Sequence, residues 1–414
     1  MAQRRLSVAI LVVCLTVLVS AVGQAAATKL TYRIWDVNQQ PAMKQIVTEF
    51  NKVHPEIEVE IEVTPYRQYW TSLETAAAGK NLPDLFWLNA PNFLLYSTNG
   101  MVLPLDKRIA KDKYDMHGYP NSMLDLYSYK GILYGMPKDF DTIGLWYNKE
   151  LFDSAKVPYP TNNWTWDDLI QAAIKLTDAK KGVWGIAAQL DDQSGFYNTI
   201  WQAGGYVISD DRKTSGFADP RTIEGLRFWT DLIHKYKASP TQAQMTDTSP
   251  IALFEAGRVA MLSDGAWNAI RFAENDYTKK RVDVVSLPKG KQRGVTIHGL
   301  ANVIAANTKH PEEAWTFLKF LGSPRAHEIQ AATGTVIPAW SEYQHLWVKA
   351  HPAFNVQIFI DQVKDSFPYP VSLYTNRWAQ LSFDELTRAW AGEVSIEEAA
   401  KTLARKMNEL LAQE

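Results

Sequence analysis

The chain has 414 residues, 46% of them hydrophobic and 21% charged, enough for two or three compact units each with a core of its own. Its 43 basic and 45 acidic side chains leave a net charge of −2, so there is no cationic excess with which to hold nucleic acid.

The N-terminus has the three-part layout of a secretory signal peptide. Arg4 and Arg5 precede an apolar run over residues 6–22, and the small residues Ala25, Ala26 and Ala27 follow it. Residues 1–27 are read as the signal, and the remainder as an exported protein of the periplasm or, alternatively, of a Gram-positive cell surface. Cys14 is the only cysteine. It lies inside the apolar run behind Val13, where a lipid-attachment signal does not place it, so the mature chain is expected to carry neither disulfide nor thiolate chemistry. No later segment is long and apolar enough to span a membrane.

Leu30, Tyr32 and Ile34 alternate with polar residues and predict a strand. Met43, Ile46, Val47 and Phe50 follow helical spacing behind Pro41. Ile57, Val59, Ile61 and Val63 alternate with glutamates as a second strand. Residues 69–78 predict a helix ended by Gly79, and residues 84–88 a third, buried strand. Strands alternating with helices imply a parallel sheet with right-handed crossovers. Ligands of such sheets sit beyond the carboxyl ends of the strands. Those ends are Trp35-Asp36, Tyr66-Arg67 and the stretch from Trp87 to Asn89, which makes these residues candidates for ligand contact.

Further on, Thr165 and Asp168 form a capping-box pattern before a helix. Pro220 opens another helix, and residues 282–287 read as a strand. Pro311 stands at the first position of a helix ended by Gly322, and Ser395 with Glu398 makes a second capping box for the last helix. Asp191-Asp192-Gln193 lacks the spaced oxygen ligands of a calcium loop and reads as a solvated turn. No repeat, low-complexity stretch or long linker is present, so two α/β lobes are expected.

Several segments, in order, resemble the bacterial extracellular solute-binding proteins of family 1, the maltose-binding-protein-like carbohydrate receptors of ABC importers. They are Leu82-Pro83-Asp84-Leu85-Phe86-Trp87; Tyr134-Gly135-Met136-Pro137 followed by Leu145-Trp146-Tyr147-Asn148-Lys149-Glu150; Phe254-Glu255-Ala256-Gly257-Arg258 leading to Gly265-Ala266-Trp267; Glu312-Glu313-Ala314-Trp315; and Thr333-Gly334-Thr335-Val336-Ile337-Pro338. The resemblance implies an α/β bilobed periplasmic-binding-protein fold with about three hinge crossings, at 139–142, 284–288 and 337–343. The implied lobes are 28–138 plus 289–338 and 139–288 plus 339–414. It implies a monomer that binds a sugar in the interlobe cleft, passes it to permease subunits in the membrane, and uses no cofactor or metal.

Sugars present hydroxyls, which need paired donors and acceptors, and C–H faces, which need flat apolar partners. On the resemblance, Trp267 and Trp378 are stacking candidates, with Arg377 as the alternative contact beside Trp378. Asp139 and Asp141 flank the first crossing as hydroxyl acceptors, and Asn89 stands near where relatives carry Asp. His298-Gly299 stands where many relatives have two glycines, so Gly299 would allow close backbone approach and His298 would add a side-chain contact. Trp340 lies near the last hinge. A glycosidase reading of Asp139 and Asp141 fits poorly, because catalytic carboxyls flank a bound sugar at about 5–5.5 or 6.5–9.5 Å and a pair two residues apart in sequence rarely straddles a substrate. The same fold binding a sugar acid, a phosphate ester or a polyamine remains the alternative to a neutral sugar.

Overall fold

The computed structural model describes residues 27–414; the signal-peptide assignment and Cys14 lie outside the described residues. The strands in chain order are β1 (Thr28–Ile34), β2 (Ile57–Val63), β3 (Leu85–Asn89), β4 (Ser128–Tyr129), β5 (Ile132–Leu133), β6 (Gly135–Asp141) and β7 (Ile143–Asn148). They continue as β8 (Trp184–Ile186), β9 (Val259–Gly265), β10 (Val282–Ser286), β11 (Val295–Ile304), β12 (Ile337–Pro338) and β13 (Ser366–Pro368). The described residues form a seven-stranded sheet ordered β12-β6-β11-β3-β1-β2, with β13 on β11. A four-stranded sheet ordered β10-β7-β9-β8 and a small hairpin of β4 and β5 complete the strands.

The expected parallel unit is present. β1 pairs in parallel with β2 on one side and β3 on the other. Ile57 and Val59 of β2 are buried while Glu58 and Glu60 face solvent, which is what a half-covered edge strand requires. The helix Gln40–Val53 buries Met43, Ile46, Val47 and Phe50 over this sheet, each worth about 1.5–3 kcal/mol of apolar burial. The antiparallel additions of β11 to β3 and of β6 and β12 beyond it were not legible from the strand–helix alternation. They come from distant parts of the chain.

Each sheet carries its own core. Tyr32, Phe50, Phe86, Trp87 and Phe317 belong to one, and Leu145, Trp146, Phe272, Trp378 and Trp390 to the other. The chain leaves the large sheet at Asp141 and enters the small one at Ile143, so the first passage is at Thr142, whose hydroxyl donates to the Phe359 carbonyl at 2.7 Å. The return is made along β11 rather than through 284–288. Val295, Thr296 and Ile297 pair with β13, and the residues from His298 onward pair with β6 and β3. After β12 the helix Gln344–Ala350 packs on the helix Pro324–Ala332. Trp347 of the former helix already lies in the core of the small sheet, against Phe359, so the last passage follows β12 directly.

Local signals explain the helix ends. Thr165 accepts from the Asp168 N–H, and the Asp168 carboxylate accepts from the Thr165 N–H at 2.8 Å, a cap worth about 1 kcal/mol. Asp219 caps the helix Pro220–His234. Of the box expected at Ser395, the half in which Ser395 accepts from the Glu398 N–H is formed, at 3.2 Å. Gly257, at φ +66°, turns the chain into β9, and a Cβ there would lie 2.3 Å from the Tyr277 hydroxyl, so only glycine fits.

Candidate functional site

The carboxyl ends of β1 and β3 and the start of the helix Tyr66–Ala78 build one wall of the cleft. Trp35 is half-buried there and meets Tyr66, Tyr69 and Trp87 edge-to-face at 5.6, 4.9 and 5.2 Å between ring centroids, the arrangement that ring quadrupoles favour. Tyr66 is 51% exposed, and its hydroxyl lies 3.4 Å from the Asn89 amide. Although the side chain is half-exposed, protein atoms crowd its hydroxyl, and this desolvation, with the Asp192 and Asp191 carboxylates approaching from the other lobe, raises its pKa.

The floor is the junction of β6 and β11, where His298 lies opposite Asp141 in register. The Gln193 amide donates to Asp141 at 2.7 Å. Burial and the charge of Asp139 push the Asp141 carboxyl well above the usual carboxylate range. His298 is buried with its ring 5.5 Å from that of Tyr369. Burial lowers its pKa to about 4, so the imidazole is neutral at ordinary pH.

The opposite wall comes from the segment 191–193 and the end of β9. Asp191 accepts from the Ser194 N–H at 2.6 Å and from its hydroxyl at 2.8 Å. The Tyr369 hydroxyl donates to Asp192. Asp264 accepts from the Gly265 N–H at 2.8 Å, and burial lifts its pKa to about 7. Burial lifts Asp191 as well, and Asp192 is raised by burial and by the Asp191 charge. Trp267 follows, half-buried, its ring lying over Gly265 so closely that a Cβ there would be 2.0 Å away. One Trp face is thereby backed by protein, the arrangement that suits a stacking partner.

The structure redistributes the residues expected from sequence. Trp35, Asn89, Asp141, Trp267 and His298 gather around the cleft. Asp36 sits at its edge, with both oxygens capping the turn Val37–Gln39: one accepts from the Asn38 N–H at 2.9 Å, the other from the Gln39 amide at 3.0 Å.

Three tryptophans are core residues instead. Trp87 is fully buried and donates to the Tyr32 hydroxyl at 2.6 Å. Trp378 is fully buried and donates to the Ser372 hydroxyl at 2.8 Å. Trp340 is buried between Gly118, Tyr119 and His327. The two arginines have other neighbours: Arg67 lines a groove along its helix with Arg33, Gln68 and Thr71, and Arg377 is exposed over the Tyr374 ring at 4.8 Å.

Asp139 is buried and fully engaged, one oxygen paired with Lys138 and the other accepting from the Leu300 N–H at 2.9 Å. The close approach at Gly299 is to its neighbour strand, since a Cβ would lie 2.3 Å from the Asp139 carbonyl oxygen.

Sequence reasoning missed Asp191, Asp192, Asp264 and Tyr369. Asp191 and Asp192 read as a solvated turn but are half-enclosed by protein. Asp264 directly precedes the Gly265-Ala266-Trp267 motif, and that adjacency was the available signal. Among the described residues no three His, Cys, Asp or Glu side chains are placed to hold a metal ion, and no helix is long and apolar enough to cross a membrane.

The profile of the bacterial extracellular solute-binding proteins matches residues 36–328. The chain is 27% identical over 324 residues to a maltotriose-binding protein of Pyrococcus abyssi, covering 75% of this chain and 66%, just under two thirds, of that protein. It is 25% identical over 308 residues to an arabinooligosaccharide-binding protein of Bacillus subtilis, covering 72% and 70%. An ABC substrate-binding protein of Listeria monocytogenes, solved with cycloalternan, superposes with a TM-score of 0.88 at 28% identity, covering 93% of this chain and 99% of the other.

Proposed function

The chain belongs to the bacterial extracellular solute-binding protein family, and from that premise we propose that its interlobe cleft captures a neutral oligosaccharide and delivers it to the membrane permease of an ABC importer. One observation carries this reading. Carboxylates on the floor and one wall, Asp141, Asp192 and Asp264, face a cleft whose other elements are the flat faces of Trp267, Tyr66 and Trp35. Hydroxyls donate to the carboxylates, and C–H faces cover the rings. Buried acceptors of this kind also reject ligands without matching donors. Asn89 and His298 complete the proposed contacts; Asp36 contributes by shaping the turn. The relatives named for maltotriose and arabinooligosaccharides support an oligosaccharide over a single ring.

The lobes close about Thr142, β11 and the passage that follows β12. Ligand favours closure because it touches both walls only when they meet. The protein acts as an exported monomer, in the periplasm, and performs no chemistry on its ligand. A thermal-shift screen against mono- and oligosaccharides tests the reading. Ligand at 100 times its dissociation constant adds about 2.7 kcal/mol of stability. No shift with any sugar, or recovery of a cleaved product after incubation, would overturn it.

A further inference from the structure

One stretch of chain joins the cleft wall to a polar contact between the lobes. β13 pairs with β11 through Ser366–Pro368. Tyr369 follows, its N–H donating to the Ile297 carbonyl at 3.0 Å and its hydroxyl to Asp192. Residues 370–374 belong to no helix or strand. The helix Thr375–Trp390 then begins, and Asn376 in its first turn donates at 3.3 Å to Asn92, on the helix Ala90–Thr98 of the larger-sheet lobe. The Tyr369 end is held by its own bonds, so the position of Asn376 depends on the turn at residues 372–374.

That turn takes its cap from a distant residue. The N-cap of the helix is Tyr374, whose side chain makes no capping bond, and tyrosine is not among the residues that cap well. Glu414 does so in its place. One carboxylate oxygen accepts from the Ser372 hydroxyl at 2.6 Å and from the Tyr374 N–H at 2.7 Å, and the other accepts from the Leu373 N–H at 3.0 Å. Orphan N–H groups and the macrodipole favour an anion at the start of a helix, and charged acceptors make stronger bonds than neutral ones. Glu414 has a fixed base. The helix Ile396–Leu411 buries Leu403, Met407, Leu410 and Leu411, and its ladder runs on as Ala412 and Gln413 donate to the Asn408 and Leu410 carbonyls at 3.0 Å each. Although Glu414 itself is exposed, its bonds pass inward: Ser372 is buried, accepts from the Trp378 indole at 2.8 Å and exchanges two bonds of 2.7 Å with the Thr375 hydroxyl.

We infer that Glu414 is a positioning residue for lobe closure: its carboxylate, capping the helix Thr375–Trp390 from the end of another helix, sets the first turn so that Asn376 meets Asn92. It acts through the turn at 372–374 rather than by touching sugar or the other lobe. The inference rests on the sugar-capture reading where affinity is concerned; its effect on the distance between the ligand-free lobes does not.

The test is a cycle of Glu414→Ala, Asn376→Ala and the double variant in the mature protein. It is read by solution scattering without sugar, by calorimetry with maltotriose and arabinotriose, and by urea unfolding. Glu414→Ala is expected to enlarge the ligand-free radius of gyration and to weaken binding of the recognised trisaccharide by about two- to tenfold. Added to Asn376→Ala it is expected to change neither further, because the contact through which it acts is already gone. Glu414→Gln keeps an acceptor oxygen without the charge and is expected to lose less than Glu414→Ala. Glu409→Ala removes the exposed partner of Arg405 on the same helix and is expected to leave scattering and affinity as they were. Unaltered scattering in Glu414→Ala, or losses that add in full to those of Asn376→Ala and follow urea stability alone, overturns the role. If neither trisaccharide binds the unaltered protein, the capture reading loses its support, and the scattering cycle decides the role of Glu414 by itself.

Discussion

The side-chain amide of Asn376, on the lobe of the smaller sheet, donates to the Asn92 amide oxygen on the lobe of the larger one at 3.3 Å. The contact continues into the cleft wall, because Asn92 donates to Asn89 at 2.8 Å and Asn89 reaches the Tyr66 hydroxyl. A polar seam between the lobes is thus tied to a residue at the cleft mouth. Amides exchange protein partners for water at little net cost, about 0.5–1.5 kcal/mol per bond, so the seam favours closure without locking it. Asn376→Ala is expected to enlarge the ligand-free radius of gyration in solution scattering and to weaken sugar binding by about two- to tenfold. Unchanged scattering together with unchanged affinity would remove the seam from the closure equilibrium.

Trp267 and Gly265 act as one unit, since the ring lies on the bare Cα of the glycine. Trp267→Ala removes a flat partner and is expected to weaken binding at least about tenfold, as anchors of this kind contribute about 2 kcal/mol or more. Gly265→Ala pushes the ring from its seat and is expected to weaken binding in the same direction while keeping the indole. Calorimetry against the recognised sugar reads both. Tight binding by Gly265→Ala would mean that the ring's position is immaterial.

Trp378 and Trp87 are expected to behave differently from Trp267. Both are fully buried with their indole N–H groups satisfied inside the protein, so truncation to Ala opens a core cavity costing about 3–5 kcal/mol. Urea unfolding is expected to show that loss, and binding by the fraction that remains folded is expected to change far less than in Trp267→Ala. A Trp378→Ala protein of full stability with lost affinity would restore it to the site.

These tryptophans show which parts of the molecule were legible in the sequence. Periodicity exposed β1, β2 and the helices because each has one buried face, and the resemblance carried the bilobed fold. Strand-end reasoning led to Trp35 and Asn89, which lie at one edge of the sheet, because a parallel sheet delivers its strand ends there. Trp87, two residues before Asn89 on the same face of that strand, lies further from its end and is enclosed by Tyr32 and Lys138, a depth that strand-end position alone does not reveal. The solvated reading of Asp191 and Asp192 failed for a different reason. Nothing local announces that Tyr369, a distant residue, will close over them.

Lys138 is an ammonium enclosed at the base of the first crossing, paired with Asp139, donating to the Gln39 side chain at 2.7 Å and lying 4.6 Å from the centroid of the Trp87 ring. Lys138→Met leaves the Asp139 charge buried and unpaired, which is expected to cost about 3–5 kcal/mol. Asp139→Asn in the same chain removes that stranded charge and is expected to recover a substantial part of the loss. Urea unfolding of the two single variants and the double variant measures the coupling. Strict additivity would show that the two groups do not stabilise each other.

The raised carboxylates make the empty protein sensitive to pH in a direction opposite to that of most surface ion pairs. Asp264 titrates near 7 in the folded chain against about 3.9 when unfolded. Between those values the native state holds a proton that the unfolded state has released, so stability falls as pH rises. The contribution is fully present below about pH 4 and is lost as pH rises through about 7. Asp141 and Asp192, also raised, push the same way. The melting temperature of the ligand-free protein is therefore expected to decline between about pH 5 and pH 8, and Asp264→Asn to flatten that slope by removing one of the titrating groups. Sugar hydroxyls that donate to these oxygens favour the ionised form, so ligand binding near pH 7 is expected to release protons, visible as a calorimetric enthalpy that changes with the ionisation enthalpy of the buffer. An enthalpy independent of the buffer, with a pH slope unchanged in Asp264→Asn, would mean that these carboxylates neither titrate in this range nor receive the ligand's hydroxyls.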